Sequence, residues 1–306
     1  MGMLFEYDIE LALKLEIRGG KKSIEKFIEN FSIDLPHKED ECELQPNINI
    51  TNEYALEAFS RLEYYADYQK SVFLEDIADF FMEKFKISIN EISTFLVKQS
   101  LSSEICIMVK IANCRTPSLF FTRQFINFIV SLNANVKIDF YKNKIFSLPI
   151  NKISEYEPLY SPEVLNGTKF MINLSLYSDS FDPVDLTRRL NIKPTHYYYK
   201  GDPIPLHPGL YSVPNSPAKI RKESCWEYSL EQTDNSDLNI LLQKIITELD
   251  QDINIIRNYI EEYAVCSKFI LLIEHPLNKS FGLRLDRNFF KVAFELDAEI
   301  DCDIYV

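Results

Sequence analysis

Apolar residues recur along this chain in two long stretches that carry one pattern. Leu74, Ile77, Ala78, Phe81, Met82 and Phe85 follow i, i+3, i+4, i+7 spacing, and so do Leu238, Leu241, Leu242, Ile245, Ile246 and Leu249. Such stripes mark one face of an amphipathic helix. The two sets are related by a constant offset of 164, and the offset persists downstream without a gap. Ile89, Ile92, Phe95 and Leu96 fall on Ile253, Ile256, Tyr259 and Ile260, which predicts a second helix in each half. The apolar run 105–111 falls on 269–275, and 121–141 falls on 285–305 with six of 21 positions identical: Arg123/Arg287, Phe125/Phe289, Leu132/Leu296, Ala134/Ala298, Asp139/Asp303 and Tyr141/Tyr305. The chain reads as a doubled unit.

Shorter periods fill in the remaining elements. Leu11, Leu13, Leu15 and Ile17 alternate as a half-buried strand, and Ile24, Phe27, Ile28 and Phe31 form a short helical stripe ending before Pro36. The polar stretch 37–53 reads as a solvated loop, and the aromatic-rich 54–71 is ambiguous between helix and strand. After the helix pair come a strand at 105–111, a turn about Pro117, a helix at 123–132 and a strand at 135–141. The second half repeats the plan: strand 170–177, helix 183–190 with Asp182 as N-cap and Pro183 at the first position, a long loop, strand 226–230, the helix pair, strand 268–274, helix 286–296 and strand 299–305. In the last strand Ile300, Cys302 and Ile304 alternate with Asp301, Asp303 and Tyr305, so one face is predicted buried and the other carboxylate-bearing.

The fold class expected from this order is α+β, a tandem duplication of a two-layer α/β sandwich domain with a mixed sheet. The expected division is a diverged first copy at 1–145, a linker at 146–167 rich in turn residues, and a second copy at 168–306.

Composition narrows the function classes. Apolar residues make up 46% and aromatics 13%, a globular profile. The seven glycines assemble neither a dinucleotide fingerprint nor a P-loop. The six cysteines show no metal-ligand spacing. No signal peptide and no membrane-length apolar run stands in the sequence, so a cytoplasmic location is expected. A net charge of −13 disfavours nucleic acid and anionic membranes and favours a protein partner. No cofactor and no metal is expected.

Candidate chemistry gathers in 194–208. His196, Tyr197, Tyr198, Tyr199, Lys200 and Asp202 stand there beside His207, and Trp226 follows in the next strand. The stretch reads equally as a binding edge, since tyrosine gives large contact area at low entropy cost, and as a turn in which Asp202 bonds its own backbone. His196 or His207 with Asp202 and Cys225 can be drawn as a catalytic set, but no motif fixes their geometry, and solvated histidines are the expected outcome. Trp226 reads as an anchor beneath the loop.

From about residue 170 onward the chain resembles a bacterial family, domain of unknown function 4279. The resemblance rests on Phe181-Asp182-Pro183, Ile192-Lys193-Pro194-Thr195, Lys200-Gly201-Asp202-Pro203, the isolated Trp226 and the closing stretch 298–305. The first half looks like a diverged copy: Pro36 stands where Pro194 would, and Asp139 and Tyr141 match Asp303 and Tyr305, but the Lys-Gly-Asp triplet and the tryptophan are missing. The family is similar in setting to small cytoplasmic immunity and phage-conflict proteins. The function expected is a non-enzymatic protein-binding role of the immunity or inhibitor type, resting on the missing phosphate loop, metal spacing, triad motif and signal peptide together with the acidic charge and the tyrosine-rich loop. The alternative is a small-ligand or nucleotide-binding regulator or enzyme using 194–226.

Overall fold

The computed structural model describes residues 9–31, 33, 37–42, 59–69, 73–85, 89–111, 119–142, 168–205, 219–232, 238–275 and 282–305. In chain order these form β1 (Ile9–Gly20), α1 (Lys21–Asn30), β2 (His37–Cys42), β3 (Phe59–Gln69), α2 (Leu74–Phe85), α3 (Ile89–Lys98), β4 (Ser102–Ile111), β5 (Leu119–Phe121), α4 (Arg123–Ser131) and β6 (Asn135–Lys142). The second half continues with β7 (Lys169–Ser178), α5 (Pro183–Arg189), β8 (His196–Tyr198), β9 (Ser224–Gln232), α6 (Leu238–Leu249), α7 (Ile253–Tyr263), β10 (Cys266–Glu274), β11 (Gly282–Leu285), α8 (Arg287–Glu295) and β12 (Ala298–Tyr305). The fold is α+β. Two six-stranded mixed sheets run β11-β6-β4-β1-β3-β2 and β5-β12-β10-β7-β9-β8. The linker expected at 146–167, the turn about Pro117 and His207 lie outside the described residues.

The offset of 164 seen in sequence is also the offset of the ladders. In the parallel pair β4/β6, Ile105 faces Val136, and in β10/β12 Phe269 faces Ile300. Leu15 of β1 lies between Tyr64 and Ile105, as Leu174 of β7 lies between Tyr228 and Phe269. Local devices repeat with the same shift. Thr122 caps α4 by accepting from Phe125 N (3.2 Å), and Asp286 caps α8 by accepting from Asn288 N (2.8 Å). The buried hydroxyl of Ser103 donates to Leu132 O (2.7 Å) and that of Ser267 to Leu296 O (2.5 Å), each tying a strand to the end of the helix beside it. The four positive-φ residues other than glycine among the described ones also form two such pairs, Ser100/Ala264 and Asn133/Asp297. All four follow helices, where a left-handed residue ends the turn.

Each sheet nevertheless takes one edge strand from the opposite half. β5 pairs antiparallel with β12, bringing Phe121 opposite Ile300, and β11 pairs antiparallel with β6, bringing Leu285 opposite Val136. The exchange places α4 against α8, and the seam is apolar, with Phe121 and Phe290 both fully buried and their rings 5.8 Å apart. Polar ties flank it: Arg123 pairs with Asp297 (3.0 Å), Arg284 with Glu104 (3.1 Å), and Arg287 N donates to Asn135 Oδ1 (3.1 Å). One continuous hydrophobic cluster therefore spans both halves.

Two local expectations are corrected here. Residues 37–42, expected in a solvated loop, form the edge strand β2, because the backbone of β3 offers it a full ladder from His37/Tyr64 to Cys42/Phe59. β1 is not half-buried. Its second face carries Ala12, Lys14 and Glu16, and Glu16 is 2% exposed while its neighbour Glu63 on β3 is 0% exposed. Burial is tolerated because the charges are paired. Lys14 Nζ lies 2.7 Å from Glu63 and 3.3 Å from Glu16, Arg18 also pairs with Glu16, and the Tyr65 hydroxyl donates to Glu63. Burial opposes the charge on each group, but the partners outweigh it: Lys14 is pushed up to about 12, with Cys106, Glu16 and Glu63 beside it, and Glu16 is held below the usual carboxylate range by Lys14 and Arg18.

In the second sheet the corresponding face stays accessible. β10 and β12 alternate strictly, with Phe269, Leu271, Ile273, Ile300, Cys302 and Ile304 buried and the residues between them partly exposed.

Candidate functional site

The 194–205 segment is held on one side by α5 and on the other by β9. Asp182 caps α5 by accepting from Val184 N (2.9 Å), and its second role is to accept from the Tyr199 hydroxyl (3.2 Å). The chain leaving α5 is fixed from beneath by Asp252, a fully buried carboxylate at the start of α7. It accepts from Asn191 N (3.1 and 3.0 Å), Asn191 Nδ2 (2.8 Å) and Ile192 N (3.0 Å). Sequence reasoning missed Asp252, because nothing local links it to a loop some sixty residues earlier.

β8 then pairs with β9, placing His196 opposite Glu227, Tyr197 opposite Trp226 and Tyr198 opposite Cys225. The alternation sends Tyr197 to the helix-bearing face and His196 and Tyr198 to the open face. The turn that follows is closed by its own groups. Asp202 Oδ2 accepts from Tyr199 N (2.7 Å), Asp202 N donates to Tyr199 O (3.1 Å), and Gly201 N donates to Arg221 O (2.9 Å). Gly201 has φ +91°, a conformation that favours glycine and explains its place beside Asp202. Lys200 N donates to Ser224 Oγ (3.1 Å), and its ammonium lies 3.2 Å from Asp179.

Among the seven candidate residues, six lie on this hairpin and Trp226 lies under it. Trp226 is 0% exposed, donates from Nε1 to Thr187 Oγ1 (3.1 Å) and stacks near Tyr228. Its part is support. Tyr197 and Tyr199 are 45% and 39% exposed and meet edge to face, and the Arg221 guanidinium lies 3.9 Å over the Tyr198 ring.

Of the catalytic set drawn from sequence, His207 lies outside the described residues, and Asp202 and Cys225 have other commitments. Asp202 is occupied by its own turn. Burial, with Glu227 close by, pushes the Cys225 thiol up to about 12, so it stays protonated near neutrality, donating to Glu227 Oε1 at 3.7 Å. Burial and the Cys225 contact likewise push the Tyr198 hydroxyl above its ordinary value. Among the described residues no group of three His, Cys, Asp or Glu has metal-holding geometry, and no helix is long and apolar enough to cross a membrane.

The open face of the second sheet was legible only in part. Asp301 and Asp303 stand on it as the alternation implied, with Lys268 3.7 Å from Asp301 and 5.0 Å over the Phe120 ring contributed by β5. Deeper on the same face, Ser175 Oγ and Asn173 Oδ1 are buried with no hydrogen-bond partner. Serine and asparagine alternating with Ile172, Leu174 and Leu176 read as an ordinary amphipathic strand, so no sequence signal set them apart.

A two-sheet α+β protein with a tyrosine-bearing edge hairpin is the class that fold and site define. Within it, residues 168–306 match the model of the family described as a domain of unknown function, DUF4279. No curated protein and no solved structure matches the chain.

Proposed function

We propose that the chain is a tandem of two copies of one domain, a diverged copy at 1–145 and the family copy at 168–306 joined by a linker at 146–167. In this reading it acts in the cytoplasm as a non-enzymatic protein-binding protein of the immunity or inhibitor type, covering a toxin or phage-defence protein. The equivalent strand order, the shared ladder offset and the paired caps support the duplication. The observation that carries the binding role is the exposure of Tyr197 and Tyr199 beside a turn in which Tyr199, Lys200, Gly201 and Asp202 are tied by hydrogen bonds within the chain. Rigid, pre-organised aromatic side chains are the usual anchors of protein interfaces. The acidic balance of the chain favours a basic partner. The ligand-binding alternative needs His196, Lys200, Asp202 and Trp226 around one pocket, whereas Trp226 lies in the core and Asp202 is committed to its turn.

The test is co-purification from native cells of the tagged chain and of its Tyr197→Ala, Lys200→Ala variant. A partner retained by the parent chain and lost by the variant is the expected result, with stability changed by no more than about 0.5 kcal/mol, as for surface substitutions. Equal recovery with both chains refutes the assignment of the hairpin.

A further inference from the structure

The second sheet carries an unfilled polar site where the first sheet carries a filled one. Ser175 lies in register between Glu227 and Lys268, and Asn173 between Ser229 and Ile270. The same register positions in the first sheet, between Glu63 and Glu104 and between Tyr65 and Cys106, hold Glu16 and Lys14. There the two side chains pair with each other at 3.3 Å and with Glu63, so that face is closed by its own charges. In the second sheet, Ser175 is 5% exposed and its Oγ has no partner, nor has the buried Oδ1 of Asn173. Groups of this kind are rare because each carries a desolvation cost without a compensating bond.

The nearest cation does not fill the gap. Lys268 leans toward Asp301 and Phe120, on the side of β10 away from β7. Glu227, opposite Ser175, has the Cys225 thiol as its neighbour and no paired cation among the described residues. An amide oxygen, a hydroxyl and a carboxylate together call for a group made of donors, which is what an ammonium or a guanidinium supplies. The surrounding face is net acidic, with Glu231, Glu274, Glu299, Asp301 and Asp303 against Lys268, the Arg221 that covers Tyr198, and Lys169, which pairs with Glu274. Its partly exposed Met171, Ile270 and Leu272 add apolar surface between the charges. We propose that the open face of the second sheet docks a basic segment of a protein partner, seating a lysine or arginine side chain on Ser175, Asn173 and Glu227. This deepens the protein-binding role proposed above and rests on it, naming the charge class of the partner and a second surface beside the hairpin.

The test uses the full chain and a fluorescein-labelled peptide of alternating lysine and alanine, read by anisotropy at physiological salt. The decisive variant, Asn173→Lys with Ser175→Glu, installs the first sheet's own pair and leaves net charge unchanged. Its affinity for the peptide should fall by about tenfold or more, the loss expected when a charge-assisted bond goes unmade. If circular dichroism shows that this variant does not fold, Glu227→Gln is the reading, with a fall of similar order compared with Glu91→Gln, a control for charge alone on the exposed side of α3. Undiminished binding by the folded variant, or equal losses at Glu227 and Glu91, overturns the proposal. So does an unbound peptide, or free spermidine binding as tightly as the peptide, which would make the site one for small polyamines. The Tyr197→Ala, Lys200→Ala chain should still bind the peptide, so failure of the face and failure of the hairpin are read separately.

Discussion

Phe121→Ala isolates the consequence of the strand exchange. Phe121 belongs to the first half in sequence, yet in β5 it lies opposite Ile300 of the second sheet, stacked on Phe125 at 5.9 Å and tilted against Phe290 at 5.8 Å. It is fully buried, so truncation removes the ring's burial and leaves a cavity, a loss of roughly 3–5 kcal/mol. At about 2 °C per kcal/mol, the lower end for chains of more than 150 residues, the midpoint should fall by roughly 6–10 °C. The assay exploits the single tryptophan. Trp226 reports from β9, on the far side of the second sheet from β5, so its fluorescence transition should move with the far-ultraviolet circular dichroism signal in one cooperative step. Adding Phe290→Ala should show coupling of about 0.5–1.5 kcal/mol between the two rings, as for aromatic pairs in contact. If Phe121→Ala shifts the circular dichroism transition and leaves the Trp226 transition in place, the halves unfold independently and the reasoning about the seam is wrong.

Other outcomes follow from single contacts. Asp252→Ala should cost about 3 kcal/mol or more, since bonds to a charged acceptor contribute roughly 1.5–3 kcal/mol each, and a chemical denaturation midpoint barely changed would refute its role under the hairpin. Ala264→Gly should stabilise the chain by about 1 kcal/mol, because Ala264 sits at φ 48° where a Cβ is strained; a destabilised variant in urea melts would contradict this. Glu16, whose folded-state value is depressed, contributes stability above the ordinary carboxylate range that disappears as pH falls through that depressed value, and Glu16→Gln should flatten the acid limb of stability measured against pH. Lys14 has the opposite sign, its contribution being complete below 10.5 and lost as pH rises through about 12. Iodoacetamide mapping at neutral pH should label the exposed Cys266 well before the buried Cys106, Cys225 and Cys302, and early loss of the Cys225 thiol would show that its environment is misjudged.

The register of the fold was legible because both halves share their apolar positions without a gap. The offset of 164 from Leu74 to Tyr141 reappears in β4/β6 against β10/β12, in the caps Thr122 and Asp286, and in the left-handed Asn133 and Asp297. The exchange of β5 and β11 was not legible. Three or four residues such as Leu119–Phe121 carry no information on which of two similar sheets they join, since the choice is set by contacts more than a hundred residues apart. The buried face of β1 escaped for another reason. Lys14 and Glu16 alternate with leucines as solvated residues do, and only the partners Glu63 and Arg18 distinguish paired burial from exposure. At the hairpin, the turn chemistry of Gly201 and Asp202 and the anchoring of Trp226 were readable from residue type. The orientation of each tyrosine depended on pairing with β9.

The contrast between a first sheet closed by its own ion pairs and a second sheet open to a partner is tested most directly by carbodiimide labelling of carboxylates in the native chain, mapped by mass spectrometry with and without the basic peptide. Glu227, Glu231, Glu299 and Asp303 should label readily and become protected when the peptide binds, while the buried Glu16, Glu63 and Asp139 stay unlabelled in both states. Labelling of Glu16 and Glu63 at the rate of Glu227, or protection that falls on the first sheet alone, would contradict the account.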